Sequence, residues 1–121
     1  MNIKTSELTG VALDWAVAEA QGNVKLQHDS REGLIIQNIL GWFHYRPSEA
    51  WQQGGPIIER EKIDLNYFAD GSYENGGAWM ATLTNGPAVS EEVGPTPLVA
   101  AMRCYVASKL GDEVEVPNEL A

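Results

Sequence analysis

Cysteine is nearly absent. The one that occurs, Cys104, rules out an internal disulfide, and it falls on the apolar face of a predicted helix, where a buried, reduced thiol is expected. Basic residues are also scarce: eight Lys and Arg against seventeen Asp and Glu leave a formal charge of −9. Binding to a nucleic-acid backbone needs clustered cations that release counterions, so direct nucleic-acid binding is excluded. The same charge is repelled by anionic membranes. Only two histidines, His28 and His44, are present, and neither has a cysteine or carboxylate at ligand spacing, so no metal and no cofactor are expected. No run of about eighteen apolar residues offers a membrane span, and Met1–Thr5 lacks the apolar stretch of a signal peptide. A cytoplasmic location follows as the expectation. Neither a phosphate-binding loop nor a dinucleotide fingerprint occurs.

What the chain does contain is enough for one folded domain. Its 121 residues, 44% hydrophobic and 21% charged, suit a single globule over 1–121 that ends in an acidic tail, 112–121. A first helix is predicted over 5–21, with Leu8, Val11, Ala12 and Trp15 at helical spacing and Gly22-Asn23 as its stop. Gly10 inside it implies either close packing or a slightly later start. Residues 24–29 read as a short half-buried strand or an irregular segment, Asp29–Gly33 as a turn, and Leu34–Leu40 as strand or extended coil. Gly54-Gly55-Pro56 is expected to break a single turn opened at Pro47-Ser48. Ile57–Lys62 is a short helix or the approach to a strand over Ile63–Phe68. Asp70-Gly71 and Asn75-Gly76-Gly77 are turn signals, Ala78–Thr84 is the clearest strand, and Ala88–Val93 is a loop or edge strand. The last helix is capped by Thr96, opened by Pro97 and ended by Gly111. The predicted class is α+β: a small antiparallel sheet with the N-terminal and C-terminal helices packed on one face.

Several blocks carry more than periodicity. Ser6–Gly10 with Ala12–Ala18, Tyr45-Arg46-Pro47-Ser48, Trp51–Glu61 (Trp-Gln-Gln-Gly-Gly-Pro-Ile-Ile-Glu-Arg-Glu), Trp79-Met80-Ala81 and Gly94–Ser108 resemble the phage NinX-like family. That family comprises small proteins of tailed phages and prophages of enteric bacteria and is grouped as a domain of unknown function. The resemblance covers nearly the whole chain. It implies an accessory protein acting in the cytoplasm of an infected bacterium, and it brings no catalytic residue set with it.

Three constellations are candidates for ligand binding. The first is Trp51, Gly54, Gly55 and Pro56 with Arg60, where indole offers a stacking face, glycines expose backbone N–H groups and guanidinium grips an anion. The plainer reading of the glycines is a structural turn. The second is Thr96 at the last helix's N-terminus, with Arg103 two turns along the same face; plain capping is the alternative. The third is aromatic density. Eight of the ten aromatic residues lie between Trp42 and Trp79, which makes either a core or an aromatic pocket including Tyr45, Arg46 and Trp79.

Three function classes follow. One is a non-enzymatic binder of a small anionic, aromatic, nucleotide-like molecule, which sequesters a host metabolite or immune signal. Another is a module that binds a host or phage protein through exposed Trp51 and Tyr45 and the acidic face. A third, a nucleotide-acting enzyme using Glu59, Glu61, Asp64 or His44, has no support from spacing. Self-association into a homo-oligomer is a further expectation, since so many aromatics are hard to bury in one small globule.

Overall fold

In the computed structural model, residues 1–22, 25–29, 31, 33–38, 41–73 and 76–121 are described. The expectations for Asn23, Val24, Ser30, Glu32, Ile39-Leu40 and Asn75 lie outside them. Everything is arranged around the last helix, α3 (Pro97–Leu110), whose Leu98, Ala100, Ala101, Met102, Cys104, Tyr105 and Val106 are all buried. Apolar side chains occupy every face of this helix rather than one stripe, so it must be covered on all sides. Its ends form as the sequence predicts: Thr96 Oγ1 accepts from the Val99 N–H at 3.1 Å, Pro97 takes the first turn, and Gly111 closes the helix at φ 92°.

One side of α3 is covered by an antiparallel sheet of β5 (Asp64–Tyr73), β6 (Gly76–Asn85) and β7 (Ala88–Gly94), in the order β5-β6-β7. The register pairs Leu65 with Ala81, Ala81 with Glu92 and Leu83 with Ser90, so that buried Ala81 and Leu83 face the helix. Asp70-Gly71, expected to turn the chain, instead lies inside β5 at a register irregularity between Phe68 and Tyr73. The pairing of β5 with β6 on both sides of it overrides the local turn preference.

Another side of α3 is covered by α1 (Gly10–Gln21), whose Ala12, Leu13, Ala16 and Val17 are buried in the same core. The helix starts later than residue 5. Thr5–Glu7 forms a separate 3-10 turn, and Gly10 opens α1 at φ +54°, a conformation that only glycine adopts without strain. A second sheet, β2 (Gln27–Asp29), β3 (Gly33–Asn38) and β4 (Gly41–His44), contacts α1 through β3, and Leu34 packs with Ala18 and Tyr45. The remaining pair, β1 (Asn2–Lys4) with β8 (Glu113–Glu115), draws the segments before α1 and after α3 together and buries Val114. The α+β class holds. Its strands are divided among three small antiparallel sheets, with α3 against one and α1 packed mainly on α3.

The largest departure from the sequence reading is α2 (Trp51–Glu61), which runs straight through Gly54-Gly55-Pro56. Pro56 forgoes only its own bond to the Gln52 carbonyl, while the Ala50 carbonyl accepts from both Gln53 N (3.0 Å) and Gly54 N (2.9 Å). Gln53 fastens the first turn further: its amide donates to the His44 carbonyl, and its Oε1 accepts from the Arg46 N–H at 2.6 Å. Ile57 then buries itself in the core. Tertiary anchoring at both ends of the glycine pair outweighs about 1 kcal/mol per glycine and about 3 kcal/mol for proline in helix propensity. Among the described residues no helix is long and apolar enough to cross a membrane.

Candidate functional site

The residues expected to surround one guest are distributed over five places. Trp51 and Arg60 stand nine positions apart on α2, which at 100° and 1.5 Å per residue sets them on opposite faces and roughly 13 Å apart along the axis. Arg60 turns to α3. Its Nε donates to Glu61 Oε2 at 2.9 Å, and its guanidinium lies 5.9 Å from the Tyr105 ring centre, with Nη2 reaching the Tyr105 hydroxyl at 3.4 Å. The neighbouring Glu61 and Tyr105 raise its pKa against a smaller effect of burial.

Arg103 is not a surface group at all. It is 4% exposed, with Nε donating to the Leu8 carbonyl and Nη1 to the Val93 carbonyl, both at 2.8 Å. Its role in the structure is to join the segment before α1 to β7. Glu92 lies close enough for this cation to draw its pKa down against the larger upward push of burial. Trp79 is partly buried against the core and meets Tyr67 at 5.1 Å between ring centres.

The two glycines have different reasons to be glycine. A Cβ on Gly54 would strike the Pro47 carbonyl oxygen and come within 2.6 Å of Leu98 Cδ2, so α2 crosses the Pro47 loop and α3 in bare backbone contact. A Cβ on Gly55 would meet only Trp51 Cε3, at an ordinary 3.8 Å. Helical hydrogen bonding takes up the backbone here, so the exposed N–H cradle expected of a Gly-Gly-Pro loop does not form.

What the fold does bring together is Trp51 and Thr96. They line a groove of about 380 Å³ with Ser48, Glu49, Pro97, Leu98 and Val99. The indole is 55% exposed, so its face is free to stack. At the adjoining end of α3, Pro97 has no N–H, that of Val99 is held by Thr96, and that of Ala100 is held by the Thr96 carbonyl. The first turn therefore offers the Leu98 amide as its donor.

Tyr45 and Arg46 belong to a separate cavity of about 250 Å³, between the start of α1, β3 and the loop after β4. Tyr45, expected on the surface as a partner contact, is instead buried; its hydroxyl accepts from Gln21 Nε2 at 2.6 Å, and burial drives its pKa upward. Arg46 is exposed at the rim. At the back of this cavity is Asp14, which the sequence reading passed over. It is 4% exposed and accepts from the Ser48 N–H at 2.9 Å; burial pushes its pKa from 3.8 to about 6, against the opposing pull of that hydrogen bond. The buried Ser48 hydroxyl lies beside it and also favours its charged form. The signal was present in the sequence: one carboxylate inside the apolar run Ala12-Leu13-Asp14-Trp15-Ala16-Val17.

The carboxylates considered for acid–base roles do not converge. Glu59 and Asp64 are exposed, and Glu61 is engaged by Arg60 and, at 3.9 Å, by Lys109. Among the described residues no three His, Cys, Asp or Glu side chains are grouped to hold a metal ion.

Comparison with curated proteins gives no match. Residues 4–109, which include α1, α2, all but the last residue of α3 and the lining of both candidate cavities, match the family described as bacteriophage P22, NinX. With that match spanning most of its length, the chain belongs to the phage P22 NinX family.

Proposed function

We propose that this chain is a non-catalytic phage accessory protein that works in the host cytoplasm by binding a small planar, nucleotide-like molecule in the groove between Trp51 and the start of α3, so withdrawing a host metabolite or signal. The observation that carries this reading is the exposed indole of Trp51 standing over a groove of about 380 Å³. Stacking on an indole contributes roughly 1–3 kcal/mol per base and tolerates different bases. The positive end of the α3 dipole and the Leu98 amide suit one anionic group. Glu49 in the lining disfavours a polyanion, and Arg60 and Arg103 are engaged elsewhere, so a guest with few negative charges fits better than a triphosphate.

The test is native mass spectrometry and thermal-shift measurement with nucleosides, mononucleotides and cyclic dinucleotides, on wild type and Trp51→Ala. A bound species whose stabilisation disappears in Trp51→Ala supports the proposal. Absence of any response across the panel, or an equal response in the variant, defeats it.

A second reading rests on a different observation. Trp42, Phe43, Trp51, Tyr67 and Phe68 are each at least 36% exposed, an unusual surplus of large aromatic surface for one small chain. Such residues anchor protein interfaces, so a host or phage protein, or a second copy of the chain, is the alternative partner. Host-protein capture from lysate, lost on Trp42→Ala or Tyr67→Ala but not on Trp51→Ala, favours it.

A further inference from the structure

An antiparallel sheet covered on one face ordinarily turns polar side chains to water on the other. The sheet of β5, β6 and β7 departs from that pattern. Its register puts Leu65, Trp79, Ala81 and Leu83 on the face that meets α3, and therefore Phe68, Met80, Val89 and Val93 on the opposite face. Phe68 is 36% exposed and Val89 57%, while Met80 and Val93 are half-buried and belong to neither core cluster. Ala78, small and already buried, lies beside Phe68. Beyond their own pairing these strands pack chiefly on α3, so no other described element forms a layer over the outer face.

The charges on that face state the chemistry of what would cover it. Asp64 and Glu91 both stand in register with Thr82, one on each side, and both are exposed. Two strand spacings set them roughly 10 Å apart, about the width of an α-helix. No Lys or Arg holds an outward position in the described register. Stacking the face on that of a second copy would gather carboxylates into one interface with no cation in either layer, so self-association here is opposed. A helix whose apolar stripe is bordered by Lys or Arg on both sides meets both demands. Lying along β6, its stripe covers Phe68, Met80 and Val93, and its long cationic side chains reach Asp64 on one flank and Glu91 on the other. The field of a chain at net −9 steers such a segment toward it.

We infer that the outer face of the β5-β6-β7 sheet is a docking surface for a cationic amphipathic helix of another protein, held by Met80 and Val93 at the centre and by Asp64 and Glu91 at the flanks. The sheet is then covered by helices on both faces, α3 within the chain and the partner's helix outside. The surface is separate from the Trp51 groove, from Trp42 on the other sheet, and from Tyr67, which stacks on Trp79 on the α3 side.

The experiment is titration of the intact chain, by calorimetry and by amide chemical shifts, with three 18-residue synthetic peptides: an amphipathic helix of Leu and Lys, the same helix with Glu in place of Lys, and a peptide of Lys and Ser with equal positive charge. Saturable one-to-one binding of the Leu/Lys helix is expected, with shifts centred on Phe68, Met80 and Val93. The Lys/Ser peptide should bind at least tenfold more weakly and the Leu/Glu helix not at all. Asp64→Asn with Glu91→Gln keeps the shape but removes both charges, and should weaken the Leu/Lys helix about tenfold. Met80→Thr with Val93→Thr trims the apolar surface with a residue that suits strands, and should do the same; should this pair fail to fold, the charge pair decides. Trp51→Ala and Trp42→Ala should bind unchanged, so a failed nucleotide screen or lysate capture leaves this result standing and the reverse holds too. No binding of the Leu/Lys helix, shifts centred on another face, equal binding of the Lys/Ser peptide, or equal binding in either paired variant overturns the inference. So does a dimer in sedimentation that Met80→Thr with Val93→Thr abolishes, because it assigns the face to a second copy.

Discussion

Substituting alanine for each of two adjacent glycines in α2 should move stability in opposite directions. Both substitutions gain about 0.8–1 kcal/mol of helix propensity, because glycine gives up more backbone freedom on folding. At Gly55 little opposes that gain, since the new methyl meets one Trp51 carbon at 3.8 Å, and Gly55→Ala should stabilise by about 0.5–1 kcal/mol. At Gly54 the methyl would strike the Pro47 carbonyl oxygen and lie 2.6 Å from Leu98 Cδ2. The leucine tip can rotate away, but the carbonyl belongs to backbone held in the turn that starts α2, so the helix must lift off. Overpacking of this kind costs about 1–3 kcal/mol, more where backbone must move, which leaves Gly54→Ala a net loss of about 1–2 kcal/mol. For a chain of this size that corresponds to roughly 4 °C of melting temperature per kcal/mol. Urea unfolding followed by tryptophan fluorescence and far-UV circular dichroism gives both midpoints. Equal shifts for the two variants, in either direction, would refute the claim that bare backbone contact at Gly54 sets how α2 packs.

Arg103→Met leaves the Leu8 and Val93 carbonyls without donors and should cost about 2–4 kcal/mol in urea unfolding; Arg103→Lys should recover less than half, because one ammonium cannot span both oxygens. Asp14 makes stability depend on pH with a definite sign. Its folded pKa, about 6, lies above the ordinary 3.8, so its favourable contribution is complete below pH 3.8 and is lost as pH rises to about 6. Asp14→Asn should therefore match wild type near pH 4 and exceed it above pH 7, by an amount on the order of 2–3 kcal/mol, measured as the difference between the two unfolding curves across pH. A pH-independent difference would contradict this. Burial, with Glu92 nearby, pushes the Cys104 thiol up to about 12, so native protein should resist alkylation by iodoacetamide and react fully in urea; rapid native labelling would show the helix to be open.

How legible each element was depended on whether its signal was local. Thr96, Pro97 and Gly111 mark α3 because capping chemistry acts within a few residues, and the structure realises all three. The strand over Ala78–Thr84 was equally readable. α2 was not, since Gly54-Gly55-Pro56 says break, and what overrules it, Gln53 bridging His44 and Arg46 and Gly54 meeting Pro47 and Leu98, consists of contacts that no window of sequence contains. The pairing of β1 with β8 escaped for the same reason, each being a three-residue strand whose partner lies more than a hundred residues away. Within the candidate sites, Trp51 and Thr96 do share a groove, while Arg60 could have been separated from Trp51 by counting once a continuous helix was admitted. Arg103 reads as a ligand for an anion until its burial is known, because charge alone does not tell a surface cation from one that ties two carbonyls together.

The place of α3 in the chain has a consequence for how the molecule comes into being. Most of the elements it packs against precede it, and the bond from Arg103 to Leu8 closes a loop of 95 residues. During synthesis α1, α2 and the β5–β7 hairpins leave the ribosome with their apolar faces bare, waiting for the one segment that all of them cover. Assembly is thus a late, all-at-once event with distant partners, which favours slow folding and a nascent chain that depends on chaperone shelter until residue 110 has emerged.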